Sequence, residues 1–80
     1  MAKKLELYYY PECPYCQRVL RAMRANGWTG IELKNIHADA KADATLVRVG
    51  GMHQVPCLFI DGVPMYESLD IIDWLTKEFS

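Results

Sequence analysis

The segment LELYYYPECPYCQRVL, residues 5–20, is the most informative part of the chain, because it combines a predicted strand, a turn and the start of a helix. Its first part, Leu5–Tyr10, is rich in aromatic residues and is typical of a central strand buried on both faces. Pro14 suits the first position of a helix, and apolar residues then recur at helical spacing until Asn26-Gly27 ends the pattern. Two cysteines therefore lie where a strand gives way to a helix.

The rest of the chain predicts further strands and helices. Alternation, helical spacing and turn residues place a strand at Ile31–Ile36, an alanine-rich helix at Ala38–Val49 before Gly50-Gly51, a hairpin of Cys57–Ile60 and Val63–Tyr66 around Asp61-Gly62, and a last helix capped by Ser68. The second helix carries Ala40, Ala44 and Val47 on one stripe, and the last helix is expected to turn Ile72, Leu75 and Phe79 inward. The order is β-α-β-α-β-β-α, and a helical crossover makes the first two strands parallel. The sequence thus predicts an α/β fold with a mixed sheet.

Length and composition exclude several classes of protein. Eighty residues fit one domain, residues 1–80, and the net charge of −1 argues against a nucleic-acid partner or a polybasic membrane anchor. No stretch approaches the roughly 20 apolar residues of a membrane span, and the start of the chain shows no signal peptide. Three unevenly spaced cysteines do not form a secreted disulfide framework, so we expect a cytoplasmic protein, although a periplasmic form without its leader would look the same.

The two cysteines of Cys13-Pro14-Tyr15-Cys16 are expected to carry redox chemistry. Unpaired amides and the positive end of the helix dipole favour the thiolate of Cys13, which makes it the nucleophile. Cys16 lies one helical turn away, close enough to form a disulfide with Cys13, and is expected to be the buried resolving thiol. Tyr15 is expected to expose its ring beside the reactive sulfur, where it can contact a bound thiol ligand.

Other readings of these residues remain open at this point. The cysteine pair also suits half of a zinc site or inert packing, but the remaining candidate ligands, His37, His53 and Cys57, lack paired spacing, and we expect no metal. Cys57 lies in an apolar run and is expected to be a core residue.

The loop before the third strand offers a second set of candidates. Val55-Pro56 is either an ordinary trans proline at a strand start or a cis bond that leaves the Val55 backbone free to pair with an extended peptide. His53 and Gln54 are either ligand-binding or solvated loop residues.

Taken together, these motifs resemble the glutaredoxin family over nearly the whole chain. The residues that carry the resemblance are the Cys13–Cys16 motif, Gln54-Val55-Pro56 and Asp61-Gly62. The second half, with Val55–Gly62 followed by Tyr66-Glu67-Ser68 and Asp70-Ile71, is also similar to the amino-terminal domain of glutathione transferases, which shares the fold.

The resemblance implies a thioredoxin-like fold, with a four-stranded mixed sheet flanked by three helices, and glutathione as co-substrate. It implies a cis bond at Val55-Pro56, with the Val55 backbone holding the cysteinyl part of glutathione. It also assigns Glu67 and Ser68 to the γ-glutamyl end, where helix amides can receive a carboxylate. The full set of glutathione-binding candidates is Tyr15, Gln54, Val55, Pro56, Glu67 and Ser68.

Two features depart from the usual glutaredoxin pattern. Many members carry a basic residue where this chain has Tyr10, and Glu12 adds a carboxylate next to Cys13 that opposes thiolate formation. Whether Arg18, Arg21 or Lys41 compensates is left open by the sequence. The second departure is Glu67-Ser68, which stands where common glutaredoxins have a glycine-rich turn and acidic residues, so that the γ-glutamyl site is transferase-like.

The resemblance therefore predicts a dithiol glutaredoxin, a monomer that reduces protein disulfides and glutathione mixed disulfides in electron transport and cell redox homeostasis. One alternative is a thioredoxin-like reductant served by a flavoprotein reductase. Another is an iron–sulfur cluster carrier that uses Cys13 and glutathione as ligands between two protomers, which Pro14 argues against. A complete transferase is disfavoured because the chain lacks the second, helical domain of those enzymes.

Overall fold

The strands and helices follow the predicted order. A computed structural model describes residues 3–80; Met1 and Ala2, which belong to the predicted domain, lie outside the described residues. In chain order the elements are β1 (Leu5–Tyr9), α1 (Pro14–Asn26), β2 (Ile31–Asn35), α2 (Ala40–Thr45), a π-helical turn (Leu46–Gly50), β3 (Cys57–Ile60), β4 (Val63–Tyr66) and α3 (Ser68–Glu78). The first two strands are each one residue shorter than predicted.

The four strands form one mixed sheet in the order β2-β1-β3-β4. β1 runs parallel to β2 and antiparallel to β3, which pairs antiparallel with β4. Leu7 lies opposite Leu33 on one side and Leu58 on the other, in the middle of the sheet. The predicted four-stranded mixed sheet with flanking helices is confirmed, and β1 is its central strand.

The core consists of two apolar clusters, one on each face of the sheet. One cluster contains Leu5, Leu7, Val19, Trp28, Leu58, Ile71 and Leu75. The other contains Tyr8, Ile36, Ala42, Leu46, Cys57 and Phe59. Because successive side chains of a strand point to opposite faces, Leu7 and Tyr8 of β1 contribute to different clusters. This explains the unbroken apolar run in β1 and confirms that the strand is buried on both faces.

The ends of α1 lie where the sequence predicts them. Cys13 occupies the N-cap position with extended backbone, and Pro14 begins the helix without losing an intrahelical hydrogen bond. At the other end Gly27 adopts φ 65°, the left-handed conformation that terminates many helices, and the Trp28 amide donates to the Met23 carbonyl at 3.0 Å.

The second helix departs from the prediction. It begins at Ala40 rather than Ala38, because the carboxylate of Asp39 caps it by accepting a hydrogen bond from the Lys41 amide at 2.9 Å. The predicted stripe is wrong, since Ala40, Ala44 and Val47 are exposed while Ala42 and Leu46 are buried. Leu46 is fully buried in the second cluster, where it removes more apolar surface from water than Val47 could at that position.

The last helix also differs from the prediction in its cap and its buried face. Glu67, not Ser68, is the N-cap residue, and α3 begins at Ser68. Ile71 and Leu75 are fully buried, whereas Ile72 is only partly buried. Phe79 follows the last helical residue and remains 38% exposed, with its ring 5.9 Å from that of Trp28, so its predicted place in the core is wrong.

The predicted hairpin is confirmed in full. Asp61 and Gly62 have φ values of 50° and 85°, which a two-residue hairpin turn of the mirror-image type requires. The Asp61 carboxylate accepts a hydrogen bond from the Lys4 amide at 2.7 Å, and its own amide donates to the Lys4 carbonyl at 2.8 Å. Within residues 3–80, every helix is too short or too polar to cross a membrane.

Candidate active site

The start of α1 places the sulfur of Cys13 over backbone amides. The Cys13 amide donates to the Tyr10 carbonyl at 3.2 Å, which closes the turn after β1. The Cys16 amide in turn donates to Sγ of Cys13 at 3.4 Å, so this side chain acts as the helix cap. The first amides of a helix have no intrahelical partner and favour a negative charge. The geometry therefore offers the Cys13 sulfur the environment that stabilises a thiolate.

Cys16 lies beneath Cys13 and has a different environment. Its side chain is fully buried, as predicted for the resolving thiol, and both cysteines are free thiols in this structure. Burial raises the pKa of Cys16, and the neighbouring Cys13 sulfur raises it further, while a hydrogen bond that the sulfur accepts from the Tyr10 backbone opposes the shift. A protonated Cys16 beside Cys13 can act only after it has lost its proton, which suits a thiol that attacks second.

A cleft of about 800 Å³ opens beside Cys13. Three separate parts of the chain form it: the start of α1, the loop before β3 and the start of α3. Its lining residues are Tyr10, Cys13, Pro14, Tyr15, Arg18, Gln54, Val55, Pro56, Glu67, Ser68, Leu69 and Asp70. All the predicted site residues except the buried Cys16 line this cleft. The Val55-Pro56 bond is cis, as the resemblance implied.

The start of α3 forms the far wall of the cleft. Glu67 adopts φ 74° and ψ 118°, a positive-φ conformation that is uncommon for residues other than glycine, and such strained residues cluster at functional sites. Its carbonyl accepts the Ile71 amide at 3.0 Å, and its carboxylate accepts a hydrogen bond from the Gln54 side chain at 3.4 Å. Ser68 is the one buried polar residue among those described, and it lines the cleft beside these amides. The wall thus presents both a carboxylate and a helix N-terminus.

Arg18 answers a question that the sequence left open. Of the three basic residues considered, Arg18 lines the cleft, whereas Arg21 and Lys41 do not. Its guanidinium lies 5.5 Å from the ring centre of Tyr15, which is 58% exposed, as predicted. Arg18 lies one helical turn beyond Tyr15, so helical spacing was the available signal. Arg18 therefore places a cation in the same cleft as Cys13.

Tyr10 and Glu12, which precede Cys13 in the chain, both lie near His37. The ring of Tyr10 stacks on that of His37 with 4.2 Å between centres, and the Glu12 carboxylate lies 3.9 Å from Nδ1 of His37. The pKa of Tyr10 is raised, first by the charge of a Cys13 thiolate and then by burial. Tyr10, at the position where many glutaredoxins carry a basic residue, therefore lies near the Cys13 sulfur as a protonated phenol.

The zinc candidates named from the sequence lie apart. His37 stacks on Tyr10, His53 forms a hydrogen bond with Asp43, and Cys57 is fully buried in the second cluster, as predicted for a core residue. Within residues 3–80, no three histidine, cysteine or acidic side chains come together in a group that could hold a metal ion.

Leu69 and Asp70 also line the cleft, although the sequence did not point to them as site residues. Both directly follow Ser68 in the chain, so their position next to a predicted site residue was the available signal.

Comparison with solved structures shows a thioredoxin-like fold. The thioredoxin-like protein BC3987 is 26% identical, with a TM-score of 0.76, over 90% of this chain and 99% of that one. Glutathione transferase Omega 3C from Trametes versicolor is 25% identical with a TM-score of 0.78, over 99% of this chain but 35% of the transferase. Oxidized glutaredoxin 2 from Chlamydomonas reinhardtii is 23% identical with a TM-score of 0.67, over 95% of this chain and 74% of that one, and shares the fold.

The transferase comparison extends over only part of the longer enzyme, since this chain spans about a third of its length. The curated proteins contain no match to this chain. The sequence profile described as glutathione S-transferase, N-terminal domain, matches residues 7–80, which include both cysteines of the motif, the cis-proline loop and the start of α3. The chain belongs to the glutathione S-transferase N-terminal domain family.

Proposed function

We propose that this chain is a glutathione-dependent thiol–disulfide oxidoreductase of the dithiol type. The observation that carries the proposal is the position of Cys13, a residue that lines the cleft and whose sulfur caps α1 and accepts a hydrogen bond from the Cys16 amide at 3.4 Å. A thiolate held by helix amides at the surface of a cleft is the nucleophile that disulfide exchange needs. Family membership and the transferase-like start of α3 support glutathione as the co-substrate.

The proposed reaction on a glutathionylated protein uses Cys13 alone. Its thiolate attacks the glutathione sulfur of the mixed disulfide, a new Cys13–glutathione disulfide forms, and the protein leaves as a thiolate that takes a proton from water. The thiolate of a second glutathione then attacks the glutathione sulfur held on Cys13. This step releases glutathione disulfide and restores the Cys13 thiolate, so that each bond formed replaces one broken.

A protein disulfide would need both cysteines. Cys13 attacks it to give a mixed disulfide, and Cys16, after losing its proton, attacks Cys13 and releases the reduced protein. Two glutathione molecules then reduce the Cys13–Cys16 disulfide. Because burial raises the pKa of Cys16, we expect this second attack to be slower than the first.

We propose one orientation for glutathione in the cleft. The Val55 backbone lies beside Cys13 in the cleft and is the partner proposed for the cysteinyl part. Ser68 and the first amides of α3 would receive the γ-glutamyl carboxylate, and the Glu67 and Asp70 carboxylates would face its ammonium group. Tyr15 and Gln54 complete the proposed contacts.

Single serine replacements test the roles of the cysteines. Cys13→Ser should reduce both deglutathionylation and protein-disulfide reduction to the uncatalysed rate, whereas Cys16→Ser should lose only the second activity. Cys57→Ala serves as the control and should keep both, because this thiol lies in the core. If Cys16→Ser lost both activities equally, the assignment of nucleophile and resolving thiol would be wrong.

A second candidate function is a reductant served by a flavoprotein reductase. The similarity to a thioredoxin-like protein over 99% of that chain favours it, since the two chains match in extent. Reduction of a test disulfide with glutathione, and then with NADPH and a thioredoxin reductase, separates the two donors. The main proposal predicts turnover with glutathione.

We also propose that residues 1–80 act as one domain in a reducing compartment, the cytoplasm. The two core clusters share a single sheet, which supports the first part. The uneven spacing of the three cysteines, which does not suit a secreted disulfide framework, supports the second part.

A further inference from the structure

The free edge of β2 presents backbone groups without partners. β2 lies at one end of the sheet and pairs only with β1. The Ile36 amide donates to the Tyr9 carbonyl at 2.9 Å, so by alternation the backbone of Lys34 also faces β1. The amides and carbonyls of Ile31, Leu33 and Asn35 therefore point outward. Of these, the Asn35 carbonyl accepts hydrogen bonds from the turn that follows, and the others remain available within the part of the chain described.

The sequence of this edge is complementary to itself. If two copies of β2 pair antiparallel about Leu33, each Leu33 lies opposite the other, and each Glu32 lies opposite Lys34 of the second copy. Glu32 and Lys34 occupy the same face of the strand and already lie 3.3 Å apart within one copy. Side chains opposite one another across such a pair lie close enough for ion pairs. Each charge would then have an opposite charge both along its own strand and across the pair.

The opposite face of the same edge is apolar. Leu33 is 46% exposed and lies at a groove of about 390 Å³ between α1 and β2. The groove is lined mainly by the apolar side chains of Leu20, Met23 and Trp28. Pairing of the two edges would cover each Leu33 with its counterpart and extend the groove into the second copy. Water is thereby removed from apolar surface that one copy leaves exposed.

The other edge of the sheet does not offer the same pairing. Pro64 lies in β4, the strand at that edge, and proline has no amide hydrogen to donate. Association through β2 therefore closes at two copies instead of continuing into a fibre.

We propose that two copies of this chain associate through antiparallel pairing of their β2 edges about a two-fold axis at Leu33, with Glu32 opposite Lys34 of the second copy. The sequence alone led us to expect a monomer, and the structure supplies the reason to revise that expectation. The shared edge is short, so the association is weak, with a dissociation constant in the range of roughly 10–500 µM. The cleft beside Cys13 shares no residue with the groove beside Leu33 and stays open.

A charge swap tests the pairing. Sedimentation velocity over about 10 µM to 1 mM, with reductant present, should show a concentration-dependent dimer. Glu32→Lys places lysines opposite lysines and should raise the dissociation constant about tenfold. The double variant Glu32→Lys/Lys34→Glu restores opposite charges and should recover dimerisation. Asp73→Lys is the matched control, because it also opens a 3.3 Å ion pair with a lysine but lies on α3.

Hydrogen exchange locates the contact. The Leu33 amide should exchange more slowly as the concentration of the chain rises, whereas the Glu32 amide, which faces β1, should not change. A chain that stays monomeric at about 1 mM would overturn the proposal. So would a dimer whose Leu33 amide is unprotected, a double variant that fails to recover dimerisation, or an equal loss in Asp73→Lys, since each would place any association on another surface.

Discussion

The three cysteines have the same side chain but different environments. Cys57 is fully buried, and burial raises its pKa to about 11. Burial also raises the pKa of Cys16. Neither thiol is ionised near neutral pH. Cys13 alone combines a sulfur on helix amides with a place in the cleft, which is why we assign the nucleophile to it.

The raised pKa of Cys57 predicts a loss of stability at alkaline pH. A thiol that is protonated in the folded chain but ionised in the unfolded chain stabilises the fold below its unfolded pKa, and this stability disappears as the pH rises toward the folded value. Between the ordinary value of 9.0 and about 11, Cys57 should lower the free energy of unfolding by about 1.4 kcal/mol per pH unit. Urea unfolding with reductant at several pH values measures it.

Cys57→Ala is the control for this prediction. It should unfold more easily at pH 7, because it leaves a small cavity, but its stability should fall less steeply above pH 9. An unchanged pH dependence in the variant would show that other groups cause the loss.

The sequence predicted the residues of the cysteine motif more fully than their neighbours. The positions of Cys13 and Cys16 and the burial of Cys57 followed from helix-start chemistry and an apolar run, both local signals. The position of the Arg18 side chain in the cleft could not be predicted in this way, because a long side chain on an exposed helix face can adopt several rotamers. In the structure the Arg18 guanidinium lies over the Tyr15 ring, and this contact places it in the cleft.

Among the secondary-structure elements, the start of α3 has a backbone conformation that is unfavourable for the residue it contains. Glu67 at φ 74° is strained, and glycine would adopt this conformation without the strain. Glu67→Gly should therefore be about 1 kcal/mol more stable than Glu67→Ala, which keeps the unfavourable φ. Thermal or urea unfolding of the two variants measures the difference.

Both variants lose the Glu67 carboxylate, so both should show a similar rise in KM for glutathione. If Glu67→Ala were as stable as Glu67→Gly, the backbone would have relaxed when the side chain was removed. That result would show that the surrounding fold does not hold residue 67 at a positive φ.

Elements with strong end signals were predicted well, and those without them were not. The Asp61-Gly62 turn and the boundaries of α1 depend on residues whose conformations are restricted, so the structure reproduces them. The alanine-rich second helix offers little hydrophobic contrast around its circumference, and the packing of Leu46 against the sheet sets its buried face. Which face of that helix is buried depends on its tertiary contacts, and the local sequence pattern does not show them.

At the scale of the whole molecule, one sheet with a core on each face brings three distant parts of the chain to the same cleft. Alternating strands and helices predicted this architecture, because a parallel β1–β2 pair requires a crossover and Asp61-Gly62 requires a hairpin. The cleft itself was predicted only through the family resemblance, since no local pattern indicates that the Val55-Pro56 loop and the start of α3 lie near Cys13. In the structure these three segments line one cavity.

The proposed function depends on activation of the Cys13 sulfur by the start of α1. The direct measurement is the rate of alkylation of each cysteine by iodoacetamide at pH 7, read by peptide mass mapping of the reduced chain, folded and in urea. Cys13 should react about tenfold faster in the folded chain than in the unfolded one, and Cys16 and Cys57 should react more slowly when folded. A folded Cys13 that reacts no faster than its unfolded form would contradict the account.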